Sequence, residues 1–151
     1  MSRYRFLAFT LIALALAACG QAAAASAPTV GEAQSFSSAC DKANSGKRIA
    51  LTGYLRFPES FTGDQSVVLR LYESDAFGGK PVGVQTAFGG QANQVQMVGD
   101  QYKDSDLKVY LAGGQVAPFG TKVRVSGRVY YPLTTQDFAC GLENPLVELA
   151  P

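Results

Sequence analysis

Two stretches of this chain repeat one alternating pattern around a central glycine, and that glycine limits the fold more than any other feature. Leu51-Thr52-Gly53-Tyr54-Leu55-Arg56-Phe57-Pro58 and Val125-Ser126-Gly127-Arg128-Val129-Tyr130-Tyr131-Pro132 both read aliphatic, hydroxyl, Gly, any, aliphatic, any, aromatic, Pro. A glycine in mid-strand weakens pairing unless the strand bends sharply or bulges there. Two long strands bent in this way suit a small barrel whose first strand joins both sides. The echo is too short and too divergent around it for a true repeat.

The flanking residues follow period two, the signature of half-buried strands. Ile49, Leu51, Gly53, Leu55 and Phe57 share one face, with Arg48, Ala50, Thr52, Tyr54 and Arg56 on the other. Val67, Leu69 and Leu71 alternate with Val68, Arg70 and Tyr72, and Val123, Val125, Gly127, Val129 and Tyr131 with Lys122, Arg124, Ser126, Arg128 and Tyr130. Weaker strands are expected over Val82–Phe88, Val95–Val98, Leu107–Leu111 and Leu146–Leu149. Gly78-Gly79, Gly89-Gly90 and Gly113-Gly114 mark turns, and no phosphate-binding or dinucleotide fingerprint accompanies them. Ahead of the strands, Thr29-Val30-Gly31-Glu32 fits a capping box. With Phe36, Cys40 and Ala43 at helical spacing and Asn44-Ser45-Gly46 as a stop, it predicts one short helix.

The start of the chain follows different rules. Arg3 and Arg5 precede an apolar run from Phe6 to Ala18, broken only by Thr10. That run is short of the roughly 20 residues a spanning helix needs, and it has the form of a secretory signal peptide over residues 1–18. Leu16-Ala17-Ala18-Cys19-Gly20 resembles the lipobox of bacterial lipoproteins. The resemblance implies a diacylglycerol on the Cys19 sulfur, cleavage before Cys19, and export to a membrane, the outer one facing the periplasm where the host has two. The other reading is an ordinary signal peptide cut within Ala22 to Ala25, which would discard Cys19. Several acyl chains on one cysteine anchor stably, whereas a single chain binds only marginally. Residues 19–29, alanine-rich and without charge, read as the tether. Removing residues 1–18 leaves 133 residues with eleven basic and twelve acidic side chains, so the net charge turns from +1 to −1. Such a near-neutral chain has no electrostatic case for a phosphate backbone, and nucleic acid is not the expected partner.

Cys40 and Cys140 are the two cysteines after Cys19. In an oxidising compartment they are expected to form a disulfide tying the first element of the domain to its last strand. The alternatives are a buried free pair or a reactive thiol, though neither cysteine lies in a Cys-x-x-Cys motif. A closed loop of about 100 residues sets a ceiling near 4.7 kcal/mol on the stabilisation.

Ile49-Ala50-Leu51-Thr52-Gly53-Tyr54-Leu55 and Gly120-Thr121-Lys122-Val123-Arg124-Val125-Ser126-Gly127-Arg128-Val129 resemble the first and fourth strands of bacterial exported OB-fold proteins of the tRNA-anti-like group. That resemblance implies a mainly β domain over residues 30–151, a five-stranded OB-like barrel with a short N-terminal helix. The insertion from Asp75 to Asp106 departs from the compact form. A small β-sandwich or another lipoprotein barrel is the rival fold.

Histidine is absent, so no imidazole base, His-ligated metal or Ser-His-Asp triad exists. Arg48, Arg56, Arg70, Lys108, Lys122, Arg124 and Arg128 fall on expected strands, while Glu59, Asp64, Asp75, Asp100, Asp104 and Asp137 fall in turns. Basic and aromatic side chains on OB strands hold anionic or ring-shaped ligands. The candidate surface is therefore Tyr54, Arg56, Arg70, Tyr72, Arg124 and Arg128, for a glycan, peptide or protein, although solvent-facing strands carry the same residue types with no ligand. Asp100, Asp104 and Asp106 lack the calcium-loop pattern, so no metal or cofactor is expected. The expectation is a membrane-anchored, non-catalytic binding or adaptor module of the cell envelope. The alternative is a carboxylate-dependent hydrolase of glycans using Glu73 and Asp75.

Overall fold

Strand β2 (Arg48–Arg56) pairs with two different strands along one edge-to-edge path, and this shared pairing closes the molecule. From Arg48↔Arg128 to Tyr54↔Lys122 it runs antiparallel to β7 (Lys122–Tyr130), and from Tyr54↔Tyr72 to Arg56↔Arg70 antiparallel to β3 (Ser66–Tyr72). β3 pairs with β4 (Val82–Ala87), β4 runs parallel to β8 (Gly141–Leu149) at Gly83↔Gly141 and Val84↔Leu142, and β8 returns antiparallel to β7. Numbered within the barrel alone, the ring reads one-two-three-five-four, with strands three and five parallel. The result is a mainly β, closed five-stranded OB-like barrel. The computed structural model describes residues 27–134 and 137–151; the expected signal peptide, Cys19 and most of the expected tether lie outside the described residues.

Gly53 sits where β2 passes from β7 to β3. A Cβ there would stand 2.1 Å from the Tyr72 carbonyl oxygen and 3.1 Å from the Phe36 ring. The bend that a mid-strand glycine announces is a close backbone approach beneath an aromatic plug. Gly127 marks a different irregularity. The register moves from Ser126↔Leu146 to Arg128↔Glu143, so β8 carries one extra residue opposite Gly127. Asn144 takes φ 50° at this bulge, and Pro145, which has no N–H to offer the ladder, follows it. This bulge hides the first half of β8 from a period-two reading, which found only Leu146–Leu149.

The inward phase of the long strands is as the alternation requires: Ile49, Leu51, Leu55, Val67, Leu69, Leu71, Val123, Val125 and Val129 are all buried. The insertion after β4 adds Val95, Leu107, Val109, Leu111 and Ala117 to the same core. It contains a short hairpin of β5 (Lys108–Tyr110) and β6 (Val116–Pro118). The expected Val95–Val98 strand reduces to Val95, which makes isolated bridges to Phe88 and Val109 while Met97 points to solvent. β6 has three residues and ends in proline, too little for alternation to show.

The N-terminal helix is shorter and later than its capping-box pattern predicts. β3 leaves one edge of β2 open at Ile49 and Ala50, and β1 (Glu32–Ala33) fills it in parallel, with the Gln34 N–H donating to the Ala50 carbonyl at 3.0 Å. An open sheet edge takes the amides that a helix would otherwise use. Helix α1 spans only Phe36–Ala39, followed by a 3-10 turn at Lys42–Asn44. The Cys40–Cys140 disulfide, with Cα atoms 5.4 Å apart, joins this segment to the residue preceding β8.

Replacing Gly53 with alanine drives a Cβ into backbone, so Gly53→Ala is expected to cost about 3 kcal/mol. Gly113→Ala, at a site with nothing within 4 Å, should stay within about 0.5 kcal/mol of wild type. Urea midpoints measure both, and equal midpoints would contradict the close-approach role of Gly53.

Candidate functional site

The outer face of the barrel sets like charges side by side. Arg56 on β2 is directly opposite Arg70 on β3, and Tyr54 is opposite Tyr72. Two guanidiniums in register repel unless each finds its own counter-charge. Arg56 Nε donates to Asp104 Oδ2 at 2.7 Å, and its guanidinium lies 5.5 Å from the centre of the Phe77 ring. Arg70 turns the other way: Nη1 donates to the Val68 carbonyl at 2.7 Å and Nη2 to Asp137 Oδ2 at 3.2 Å.

These two arginines stand on the wall of a cleft of about 420 Å³. It is bounded by the end of β2 with the following loop, by β3, by Tyr102–Asp104 of the insertion, and by Asp137 from the β7–β8 connection. On its apolar side, Tyr102 stacks on Phe61 at 4.8 Å and tilts against Phe57 at 5.0 Å, and its hydroxyl donates to the Pro58 carbonyl at 2.8 Å. Burial, with help from Asp104, raises the Tyr102 pKa.

Arg70 is the unusual member. It is only 6% exposed, yet the side chain of its carboxylate partner Asp137 is 75% exposed. Its guanidinium lies 4.6 Å from the centre of the buried Phe138 ring, which itself packs on Gly83, where a Cβ would come within 2.7 Å of the ring. Arg70 Nε is buried with no hydrogen-bond partner among the described residues. Buried charges are normally fully paired, and this one is paired at a single donor by an exposed acid. Neighbouring Tyr130 has its pKa raised by burial, opposed by Arg70 and reinforced by Glu143.

The structure thus brings Arg56, Arg70 and Tyr72 together on the cleft wall, with Tyr54 beside Tyr72 on the sheet but not lining the cleft. Arg124 and Arg128 lie elsewhere on the outer face, in a ladder with acids of β8. Arg124 donates through Nη2 at 2.8 Å and Nε at 3.2 Å to Glu148 Oε2, and Arg128 through Nε at 2.7 Å to Glu143 Oε1. Sequence reasoning placed the acids in turns and passed over these two strand acids, which sit in register with the arginines at Arg124↔Glu148 and Arg128↔Glu143. It also passed over Tyr102 and Phe138, whose roles depend on loops that carry no periodicity. Glu73 and Asp75 are exposed after β3 and do not line the cleft. Asp104 is engaged by Arg56, and Asp106 accepts the Lys103 N–H at 2.8 Å. Among the described residues, no group of three His, Cys, Asp or Glu side chains gathers as a metal site.

A second hollow, of about 480 Å³, opens between β4 and β8. Its amides hold the insertion in place: Asn93 Oδ1 accepts the Val147 N–H, and Gln94 Oε1 accepts the Gln91 N–H. The Arg70 cleft is the one of the two whose wall carries a buried charge with an unpaired donor. No protein-family model matches the chain, and neither a curated protein nor a solved structure matches it.

Because Tyr130 keeps its proton more tightly when folded, its contribution is present below the ordinary tyrosine value of about 10 and is lost as pH rises through the folded value. Stability to urea is expected to fall as the pH rises above about 10, less steeply in Tyr130→Phe. An unchanged slope in that variant would contradict the assignment.

Proposed function

We propose that the chain is an exported, lipid-anchored binding module of a bacterial envelope, and that its OB-like barrel takes an anionic group of a glycan, peptide or protein in the Arg70 cleft. The observation that carries this reading is Arg70 itself, nine-tenths buried and half-compensated, on the wall of a cleft with aromatic sides. In OB barrels the face of strands two and three and the loops after strands one and four hold ligands. Here β3, the loop after β2 and the β7–β8 connection meet at this cleft. The lipobox-like Leu16-Ala17-Ala18-Cys19 supports the membrane anchor, and the disulfide agrees with an oxidising compartment. The cleft offers charge and stacking surfaces for binding, and the reading involves no covalent chemistry.

Two measurements test it. The mature chain from a membrane fraction is expected to have the mass of a chain beginning at Cys19 plus acyl groups, a form lost in Cys19→Ala. The same chain in detergent is expected to bind acidic oligosaccharides or peptides saturably and without turnover, about tenfold more weakly in Arg70→Gln. An unmodified chain beginning near Ala25 would remove the anchor from the proposal. Binding indifferent to Arg70 would remove the cleft.

A further inference from the structure

Four arginines on the outer face are paired with carboxylates: Arg124 and Arg128 each engage theirs through two nitrogens, while Arg56, through Nε, and the buried Arg70, through Nη2, each use one. Nε and Nη2 stand side by side on one edge of the group, the edge a carboxylate grips with both oxygens. Arg124 donates from both nitrogens to Glu148 Oε2, at 3.2 and 2.8 Å, and Arg128 donates from Nε to Glu143 Oε1 at 2.7 Å with Nη2 at 2.6 Å from the same oxygen. Arg70 offers the same edge to Asp137, but only Nη2 is engaged, at 3.2 Å from Oδ2, while Nε has no partner among the described residues. Charge-assisted contacts of this kind normally close to about 2.7–2.9 Å.

We infer that Asp137 is a resident carboxylate holding the place of a ligand carboxylate, which displaces it and grips both Nε and Nη2 of Arg70. This inference rests on the Arg70 cleft as the binding site and names the chemistry that site selects. Asp137 can leave cheaply, because its side chain is 75% exposed and it loses little burial by turning to solvent. The residues that follow it are held in place. Phe138 is buried over Gly83 and Arg70, and Cys140 is held by its disulfide.

The charge balance selects the ligand class. The cleft wall carries Arg56, Arg70 and Lys103 against Glu59, Asp104 and Asp137, so it is neutral with Asp137 in place. Turning Asp137 away leaves one uncompensated positive charge, which a carboxylate monoanion matches. A phosphate dianion can also take two donors of one guanidinium, but it would overcharge a cleft left with a single positive charge. Tyr72 and Tyr102 flank this position and supply ring surface for whatever carries the carboxylate.

The test titrates the full chain, in detergent, with glucuronate and with an N-acetylated dipeptide bearing a free carboxyl end. Their neutral counterparts, glucuronamide and the amidated dipeptide, and inorganic phosphate serve as the other probes. Asp137→Asn is expected to bind at least one carboxylate probe about tenfold more tightly than wild type, with Asp137→Ser showing the same gain and Arg70→Gln abolishing it. Which carboxylate gains tells a glycan source from a peptide end. Weaker or unchanged binding in both Asp137 variants, with Arg70 dependence intact, overturns the resident carboxylate and leaves the cleft standing. Arg70-dependent binding of phosphate in place of carboxylates overturns the ligand class alone. Binding indifferent to Arg70 overturns the inference together with the cleft.

Discussion

The rest of the molecule depends on β2 being shared between two partners. Its first seven residues pair with β7 and its last three with β3, Tyr54 serving in both sets. A strand can change partners within nine residues only by coiling hard. At Gly53 the Tyr72 carbonyl comes nearer than any side-chain carbon would permit. Closure has a local consequence for the site. Coiling brings Arg56 opposite Arg70 at one end of the barrel, where the loop after β2, the insertion and the β7–β8 connection converge. The same geometry frees the other edge of β2 at Ile49 and Ala50, which is why the N-terminal segment lies there as β1.

The outer face is then an exercise in distributing like charge. Each of the four arginines of the proposed surface has its own carboxylate: Asp104 for Arg56, Asp137 for Arg70, Glu148 for Arg124 and Glu143 for Arg128. Exposed pairs of this kind add little to stability, because water screens them and long side chains lose freedom in making them. Their effect is to remove three of the arginines from service as free anion receptors. Arg70 differs because burial makes an unspent donor costly, in a place where a ligand can recover that cost.

Much of the barrel was legible because alternation and glycine placement are written locally. Ile49, Leu51 and Leu55, Val67, Leu69 and Leu71, and Val123, Val125 and Val129 face inward as their period requires; Gly53 marks the close approach in its own strand, whereas the bulge at Gly127 lies in the partner strand β8. The capping-box pattern at Thr29 to Glu32 misled because helix and sheet compete for the same amides, and the open edge of β2 won. β8 was half hidden by the bulge at Asn144 and Pro145, which resets the phase of the strand. The site was legible only in part. Arg56, Arg70 and Tyr72 were found from strand phase, but strand phase placed Arg70 on an outer face and gave no sign that Phe138 and the β7–β8 connection would bury it. The separation of Arg124 and Arg128 from that cleft follows from the register of β7 with β8, a non-local pairing that no single stretch of sequence displays.

Phe138 and the β7–β8 connection bury Arg70 with its Nε–H unpaired among the described residues, and in the proposed binding mode an entering carboxylate takes that proton's hydrogen bond. Nitrogen-edited NMR of the arginine Nε–H groups reads this directly. The expected result is a resolved Arg70 Nε–H that exchanges slowly with water and shifts progressively as carboxylate is added. An Arg70 Nε–H that exchanges as fast as free arginine and is unmoved by carboxylate would contradict it.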